Sequence, residues 1–179
     1  GVVKCALGWA CWKAYLGRPE EDGARIMATN QLANGLGAAK HHEAALSVRE
    51  AQLSLLRRVG ASEVDLLIVQ NNLANTYVDL GRLEPALLLM RDVYFGRLKL
   101  RGEEHEETLG AANNYAGSLI NLQRIEEAKS LLLNTIPVAQ RVLGERDPSR
   151  ILMMRWQYAR TLYKNFVAKL VDLHEAVTT

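Results

Sequence analysis

A segment of sixteen residues returns in similar form after a fixed interval. Residues 71–86 read NNLANTYVDLGRLEPA and residues 113–128 read NNYAGSLINLQRIEEA, so the second segment begins 42 residues after the first. An Asn pair, a small Ala, a Leu, an Arg, a Glu and a final Ala keep the same offsets in both. Internal repetition with a period of roughly 20–50 residues is typical of solenoids and related arrays. The sequence therefore predicts a repeat architecture.

Each period carries the signals that end one helix and begin the next. Glycine closes an apolar stretch at positions 17, 60, 102 and 144, at intervals of 43, 42 and 42 residues. Glycine is favoured there because it accepts the left-handed conformation that ends a helix. A polar, mostly acidic start follows each glycine, as expected for residues that cap a helix and oppose its dipole: RPEED, ASEVD, EEHEE and ERDPS.

A second break lies inside each of the first three periods, at residues 35–39 (GLGAA), 79–82 (DLGR) and 121–124 (NLQR). Each repeat is therefore predicted to be two helices of about four turns joined by a tight turn. Apolar residues recur at helical spacing on both helices, for example Leu66, Ile68 or Val69, Leu73 and Tyr77 on a first helix. One hairpin cannot bury that much apolar surface, whereas stacked hairpins can.

The pattern NNLAxxYxxLGRxxxA at 71–86, with junctions such as RGEEHEETL at 101–109, resembles the tetratricopeptide repeat, in the 42-residue form of kinesin light chains. The resemblance implies an all-α fold, a right-handed α-solenoid of stacked antiparallel helix hairpins. It divides residues 1–179, taken as one domain, into a leading second-type helix (4–17), repeats at 18–60, 61–102 and 103–144, and a divergent repeat or cap (145–179). We call the first helix of a hairpin first-type and the second one second-type.

Two departures from the pattern carry expectations of their own. Residues 35–37 (GLG) stand where the next repeat has Thr76, Tyr77 and Val78, which predicts looser helix packing in the first repeat. In the last repeat Arg155 and Trp156 replace the Asn pair, and residues 165–179 do not repeat the second-helix pattern.

The resemblance implies that first-type helices line a concave groove that receives a partner peptide. Carried over position by position, it places seven residues on or near this groove: Asn30, Asn34, Asn71, Asn75, Asn113, Asn121 and Arg155. Asparagine is a mediocre helix former, so its repeated use within helices needs a reason, and its amide can bind a peptide backbone. Alternatively, these side chains cap turns or bond between adjacent hairpins, the role expected for Asn72 and Asn114.

The leading helix carries a stripe formed by Cys5, Trp9, Trp12 and Leu16. Packing on the next helix accounts for about half of such a stripe, and a large uncovered aromatic patch is unusual in a soluble monomer. We expect Trp9 and Trp12 to form a docking surface for another protein, another copy or an N-terminal segment.

Composition excludes several classes of function. With 22 basic and 20 acidic residues, the chain lacks the general positive charge that nucleic-acid binding requires, so no nucleic-acid partner is expected. No motif for a hydrolase, a phosphate-binding loop or a metal site is present, and His41, His42 and His105 lack metal-ligand spacing. We expect no enzyme activity, no cofactor and no metal.

The two cysteines, Cys5 and Cys11, point to different faces of a helix and form no disulfide with each other. This fits an intracellular, reducing compartment, with the cytoplasm favoured and an organelle left open. Residues 2–17 are too short and too charged to span a membrane, so no direct membrane insertion is expected.

Two functions remain open. The first is a non-enzymatic scaffold that binds a peptide or segment of a partner protein in the concave groove. The alternative is a structural or assembly subunit that is held permanently in a larger complex through its ends and its convex face.

Overall fold

The computed structural model describes the backbone of residues 1–178, together with the side chains of residues 1–167 and 170. This part of the chain forms eight α-helices and contains no strand. The helices are α1 (Val2–Tyr15), α2 (Gly23–Ala38), α3 (His42–Arg58), α4 (Glu63–Asp79), α5 (Leu83–Arg101), α6 (Glu106–Asn121), α7 (Ile125–Leu143) and α8 (Pro148–Thr178).

Consecutive helices pack on one another, which is the arrangement of a solenoid built from hairpins. In phase with the repeat, α2 and α3, α4 and α5, and α6 and α7 are the three hairpins, α1 is a second-type helix and α8 is a first-type helix. The all-α solenoid fold predicted from the repeat is confirmed. The chain divides into two compact units, residues 1–89 and residues 90 onward, which are described separately below. That residues 1–179 behave as one domain stays a prediction.

Two of the three predicted hairpin turns are confirmed. Helix α4 ends at Asp79 and α5 begins at Leu83, while α6 ends at Asn121 and α7 begins at Ile125. The chain reverses at Gly81 (φ 71°) in the first of these turns and at Gln123 (φ 59°) in the second. Left-handed backbone is the usual way to leave a helix in a tight turn, so the two breaks serve the same purpose with different residues.

The predicted break at residues 35–39 is wrong in its position. Helix α2 continues through both glycines to Ala38, and the chain turns at Lys40, whose φ is 64°. A β-carbon on Gly35 would lie 2.6 Å from the carbonyl oxygen of Lys4, and one on Gly8 would lie 2.8 Å from the carbonyl oxygen of Gln31. Gly35 and Gly8 therefore let the backbones of α1 and α2 touch, and the expected loose packing of this repeat does not extend to its contact with α1.

The helix ends follow the sequence signals. The Asp22 carboxylate accepts hydrogen bonds from the backbone amides of Ala24 (2.8 Å) and Arg25 (3.1 Å), and Ser62 caps α4 in the same way. Glycines 60, 102 and 144 adopt positive φ values of 68°, 80° and 47°, as predicted for helix-terminating positions. Gly17 does not, so the first of the four periodic glycines lacks this conformation.

Each unit has its own buried core. In the N-terminal unit, one cluster joins α3 to α4 and a second joins α2 to α3: Leu46, Leu53, Leu56, Val69 and Leu73 in the first, Leu32, Leu36 and Ala45 in the second. In the C-terminal unit, α6, α7 and α8 contribute Leu109, Ala116, Leu132, Ala139, Leu143 and Met154. Most of these side chains are Leu or Ala, which interdigitate at close helix crossings.

The last repeat is not a hairpin in the described chain. Helix α8 runs without a break from Pro148 to Thr178, although the repeat pattern stops near residue 165. Residues 149–178 contain neither Gly nor Pro, so no residue type that commonly ends a helix is present. The divergent sequence after residue 165 lengthens the first-type helix.

Candidate partner-binding site

A groove of about 610 Å³ lies in the N-terminal unit between the first-type helices α2 and α4, with α3 at its base. Its lining is mainly aliphatic, contributed by Ile26, Met27, Leu56, Val59, Ile68 and Val69. Pockets that bind ligands or peptide side chains are usually apolar with a few placed polar groups. The groove has this character, since two polar side chains, Asn30 and Gln52, also line it.

The two neighbouring helices present apolar side chains to solvent at the groove. Met27 on α2 is 69% exposed and Ile68 on α4 is 38% exposed, whereas the adjacent Val69 is buried. The sequence left open whether Ile68 or Val69 belongs to the core, and the structure places Val69 there. Ile68 is thereby available at the groove.

Gln52 supplies a buried polar group at the base of the groove. Its side-chain amide donates to the carbonyl oxygen of Ile26 at 3.2 Å, while its own side-chain oxygen accepts no hydrogen bond from the described residues. A buried acceptor without a partner is costly, and most such groups are satisfied in native proteins. A donor that enters the groove would remove this cost.

Carboxylates stand at the rim. Glu21 and Asp65 line the groove on the sides of α2 and α4 respectively, and both are exposed. The Asp65 carboxylate also accepts a 2.6 Å hydrogen bond from the Ser62 hydroxyl. No cationic side chain of the described residues lines the groove. The rim therefore favours a basic or neutral partner over an acidic one.

Two of the predicted groove asparagines hold a buried arginine. The Arg49 guanidinium on α3 donates to the side-chain oxygen of Asn34 at 2.7 Å and, more weakly, to that of Asn30 at 3.5 Å. Burial lowers the pKa of Arg49, and the charge of Asp79 partly offsets this effect. The Arg49 Nε has no hydrogen-bond partner in the described chain, so the two asparagine oxygens are its principal acceptors.

A hydrogen bond also joins asparagines of adjacent hairpins. Asn72 on α4 donates to Asn30 on α2 at 3.4 Å, and the two residues are 42 positions apart. This is the inter-hairpin role expected for Asn72, and Asn30 shares it. Asn30 therefore contacts neighbouring helices and lines the groove at once, while Asn34 lines a separate hollow between α1 and α2. On α4, Asn71 is half-buried and Asn75 is exposed.

The predicted site residues of the C-terminal unit occupy three different environments. Asn113 is only 6% exposed, and its side-chain oxygen has no hydrogen-bond partner among the described residues. Asn121 is exposed as the last residue of α6. Arg155 is exposed on α8 and lines a hollow of about 420 Å³ with residues of α7 and α8. No pocket described in this unit brings the three together.

The two tryptophans of α1 differ in their surroundings. Trp12 packs against the cluster of Leu32, Leu36 and Ala45, as Cys5 does. Trp9 meets the Trp12 ring edge-on, with centroids 5.5 Å apart, and is 47% exposed. The stripe is thus split into a packed part and an exposed part, the division expected from the sequence.

The sequence did not single out the residues that make the groove. Met27, Val59 and Gln52 were not identified as site residues, and Ile68 was considered only as a core residue. One signal was available, because Met27 lies directly after Ile26 and Ile68 directly before Val69, so each helix has one apolar residue beyond its buried stripe. Helical periodicity alone cannot tell which of two adjacent apolar residues faces the core.

Other site types find no support in the described residues. No group of three or more His, Cys, Asp or Glu side chains there is arranged to hold a metal ion. Cys5 and Cys11 are both free thiols. Within the described residues, none of the helices combines the length and the apolar character that crossing a lipid bilayer demands.

Comparison with known families agrees with the repeat. The family model described as "Tetratricopeptide repeat" matches residues 66–107 and 108–149, two consecutive segments of 42 residues. Residues 66–149 are tandem tetratricopeptide repeats. Tetratricopeptide repeats mediate protein–protein interactions in general, and their helical scaffold is typically non-enzymatic. No curated protein matches the chain in sequence.

Solved structures share the fold over nearly the whole chain. A point variant of a Podosopora anserina putative kinesin light chain, with nearly identical TPR-like repeats, superposes with a TM-score of 0.77 at 22% identity, covering 97% of this chain and 83% of that one. A second structure, described in the same terms without the substitution, gives 0.74 at 20%, covering 97% and 85%. BtubC (BKLC) from P. vanneervenii gives 0.74 at 18%, covering 91% of this chain and 66% of that one. The predicted kinesin-light-chain-like form of the tetratricopeptide fold is confirmed.

Proposed function

We propose that this tetratricopeptide-repeat chain is a non-enzymatic scaffold whose N-terminal unit binds a segment of a partner protein in the groove between α2 and α4. The observation that carries the proposal is the pair of exposed apolar side chains, Met27 and Ile68, on adjacent first-type helices at the groove. Exposed apolar side chains that share a concave, aliphatic surface mark interaction sites more often than scattered ones do.

The lining indicates what the partner segment offers. An aliphatic or aromatic side chain of the partner would pack between Met27 and Ile68 and displace water from the apolar wall. Methionine is well suited to this contact because its flexible thioether adapts to differently shaped side chains. A backbone N–H or side-chain donor beside that anchor would satisfy the oxygen of Gln52.

The charge at the rim narrows the class further. Glu21 and Asp65 place two carboxylates beside the apolar lining. A Lys or Arg that flanks the apolar anchor of the partner would therefore be attracted, mainly through the association rate, and the attraction would weaken with salt. The proposed ligand is a segment with an apolar anchor and basic flanks.

The roles first assigned to the asparagines and to Arg155 remain part of this proposal where geometry allows them. Asn71, Asn75 and Asn121 lie on first-type helices, as Arg155 does, and could contact the same or further segments of a partner. Asn30 would contribute as a groove-lining amide. Asn34 and Asn113 are proposed to act only indirectly, through Arg49 and through the buried face of α6 respectively.

The test is a selection of displayed random peptides on the intact chain, followed by affinity measurements. Enriched peptides should share an apolar anchor flanked by Lys or Arg, and Met27→Asp or Ile68→Asp should weaken them at least about tenfold. Leu133→Asp is the matched control, since Leu133 is an exposed apolar residue of α7 in the C-terminal unit. Peptides that bind both groove variants as well as the wild type would reject the proposal.

A structural subunit held through its ends is the second candidate, favoured by the exposed apolar residues of α1. Val2, Val3 and Leu7 are exposed there together with Trp9. If this function holds, Trp9→Ser with Trp12→Ser should release the native partner, whereas Asn71→Ala with Asn113→Ala should retain it. The groove function predicts loss of the partner in the Met27→Asp variant and retention in the Trp9→Ser variant.

A further inference from the structure

Helix α8 exposes an apolar seam with the period of a coiled coil. Leu152, Trp156, Ala159, Tyr163, Phe166 and Leu170 follow one another at alternating intervals of four and three residues, and all are exposed. Alternating spacings of three and four average 3.5 residues, the repeat that keeps a seam facing a partner helix. At 1.5 Å per residue the seam is about 27 Å long.

The seam lies opposite the face by which α8 packs onto its own unit. Ile151, Met154 and Tyr158 point into the cluster formed with α6 and α7, and Thr161 continues this buried face. The exposed rings are large, with Trp156 60% exposed and Tyr163 70% exposed. These residues therefore contribute little to the core, and folding of the described chain does not account for their apolar character.

The repeat itself shows what kind of element covers this position. In α6, the previous first-type helix, Ala111 and Ile120 are buried, whereas Met153 and Leu162, their counterparts 42 residues later in α8, are exposed. Two helices, α7 and α8, follow α6 and pack on it, while α8 is the last helix described. The equivalent surface is thus one that packed helices cover elsewhere in the fold.

Charge identifies the chemistry of the missing helix. Residues 148–170 contain five basic residues and no acidic residue, although the whole chain carries 22 basic and 20 acidic ones. Arg155 and Arg160 occupy the positions that flank the seam, where coiled coils place the charges that choose a partner. The Arg160 guanidinium also lies over the Trp156 ring, 4.8 Å from its centroid, which places positive charge directly at the seam.

We propose that the exposed seam of α8 binds an amphipathic α-helix of another protein, with apolar residues at its a and d positions and Asp or Glu beside them. A second copy of this chain fits less well, because pairing two α8 seams would set Arg155 and Arg160 against the same arginines. An acidic partner helix relieves that repulsion and buries the aromatic residues. This surface is separate from the α2–α4 groove and does not depend on its function.

The probes are two synthetic helical peptides of about 21 residues, equivalent to three heptads. Both have Leu at a and d, and they carry either Glu or Lys at the flanking e and g positions. Fluorescence anisotropy of each labelled peptide is measured with the intact chain. The Glu peptide should bind at least about tenfold more tightly than the Lys peptide at low salt, since charge complementarity at these positions sets partner choice.

Three variants separate the seam from a general stickiness. Arg155→Glu with Arg160→Glu should reverse the preference between the two peptides, Arg155→Glu alone should reduce it, and Tyr163→Ser should weaken both. Met27→Asp in the N-terminal unit should change neither affinity. Circular dichroism and thermal midpoints verify that each variant is folded, which is expected because the changed residues are largely exposed.

Several results would overturn the proposal. Equal affinity for the two peptides, or a preference that the double charge reversal leaves unchanged, would rule out the acidic helix. Sedimentation that shows dimers of the wild type and monomers of Tyr163→Ser would make a second copy the occupant. Binding to vesicles of phosphatidylserine and phosphatidylcholine, with neither peptide bound, would make a membrane surface the occupant.

Discussion

The guanidinium of Arg49 on α3 donates a 2.7 Å hydrogen bond to the side-chain oxygen of Asn34 on α2. Arg49 is buried and makes no ion pair within 4.0 Å in the described chain, so neutral oxygens must compensate its charge. Hydrogen bonds that involve a charged group are stronger than those between neutral groups. Asn34 therefore stabilises the first hairpin, which gives its asparagine a structural role.

Replacing Asn34 with Ala should lower the free energy of unfolding by about 1–2 kcal/mol, because it leaves a buried guanidinium short of its best acceptor. Asn75→Ala is the control, since Asn75 is exposed on α4, and its effect should stay within about 0.5 kcal/mol. Urea titration followed by circular dichroism measures both. Equal effects of the two substitutions would contradict the assignment.

Two glycines of α2 should respond in opposite directions to the same substitution. Gly35→Ala places a β-carbon 2.6 Å from the Lys4 carbonyl oxygen, so it should force α1 away and cost about 1–3 kcal/mol. Gly37→Ala meets nothing within 4 Å and should stabilise α2 by about 0.5–1 kcal/mol through its higher helix propensity. Thermal unfolding, with hydrogen exchange of α1 amides, distinguishes the two. A stabilising Gly35→Ala would show that α1 does not pack as described.

The tryptophans of α1 should separate stability from docking. Trp12→Ser removes a ring from the cluster of Leu32 and Leu36 and should cost about 2–4 kcal/mol. Trp9→Ser changes a half-exposed ring and should cost no more than about 1 kcal/mol. Chemical denaturation of each variant tests this, with the fluorescence of the remaining tryptophans as the signal. A larger loss from Trp9→Ser than from Trp12→Ser would reverse the assignment of packed and exposed rings.

Two tyrosines should make the chain sensitive to alkali. Burial raises the pKa of Tyr77, whose hydroxyl donates to Glu50 at 2.9 Å, and burial likewise raises the pKa of Tyr94 beside Glu103 and Tyr115. Because the folded state holds these protons more tightly, their stabilising contribution is complete below about pH 10 and is lost as the pH rises through the higher folded values.

The free energy of unfolding should therefore fall above about pH 10, and it should fall less steeply when Tyr77 and Tyr94 are both replaced by Phe. Urea titrations at a series of pH values measure the slope for each protein. Other basic groups titrate equally in both proteins, so the difference reports the two tyrosines. Identical slopes would exclude their contribution.

The sequence predicted the fold well because repetition supplies the same evidence several times. The turns at 79–82 and 121–124 are marked by corresponding residues, and both were placed correctly. The turn after α2 was misplaced because Gly35 and Gly37 look like helix-ending residues. Gly35 is in fact required by the close approach of α1, a contact between distant residues that local sequence signals do not report.

The candidate site was less predictable, for a physical reason. Position in the repeat indicated which helices face the groove, but a side chain can turn either to a ligand or to a neighbouring helix. Asn34 binds Arg49, an arginine that has no equivalent in the repeat pattern and so could not be anticipated. Met27 and Ile68 lie next to core residues, and helical spacing alone leaves their exposure undetermined.

Methyl NMR on the intact chain tests the proposed groove most directly, with labelled Met and Ile and a peptide selected as described above. The Met27 ε-methyl and the Ile68 δ-methyl should shift together and saturate with the same dissociation constant, while the exposed Met153 on α8 keeps its resonance. If the peptide binds and both groove methyls stay unchanged while others shift, the partner site lies elsewhere and the groove between α2 and α4 is not the binding surface.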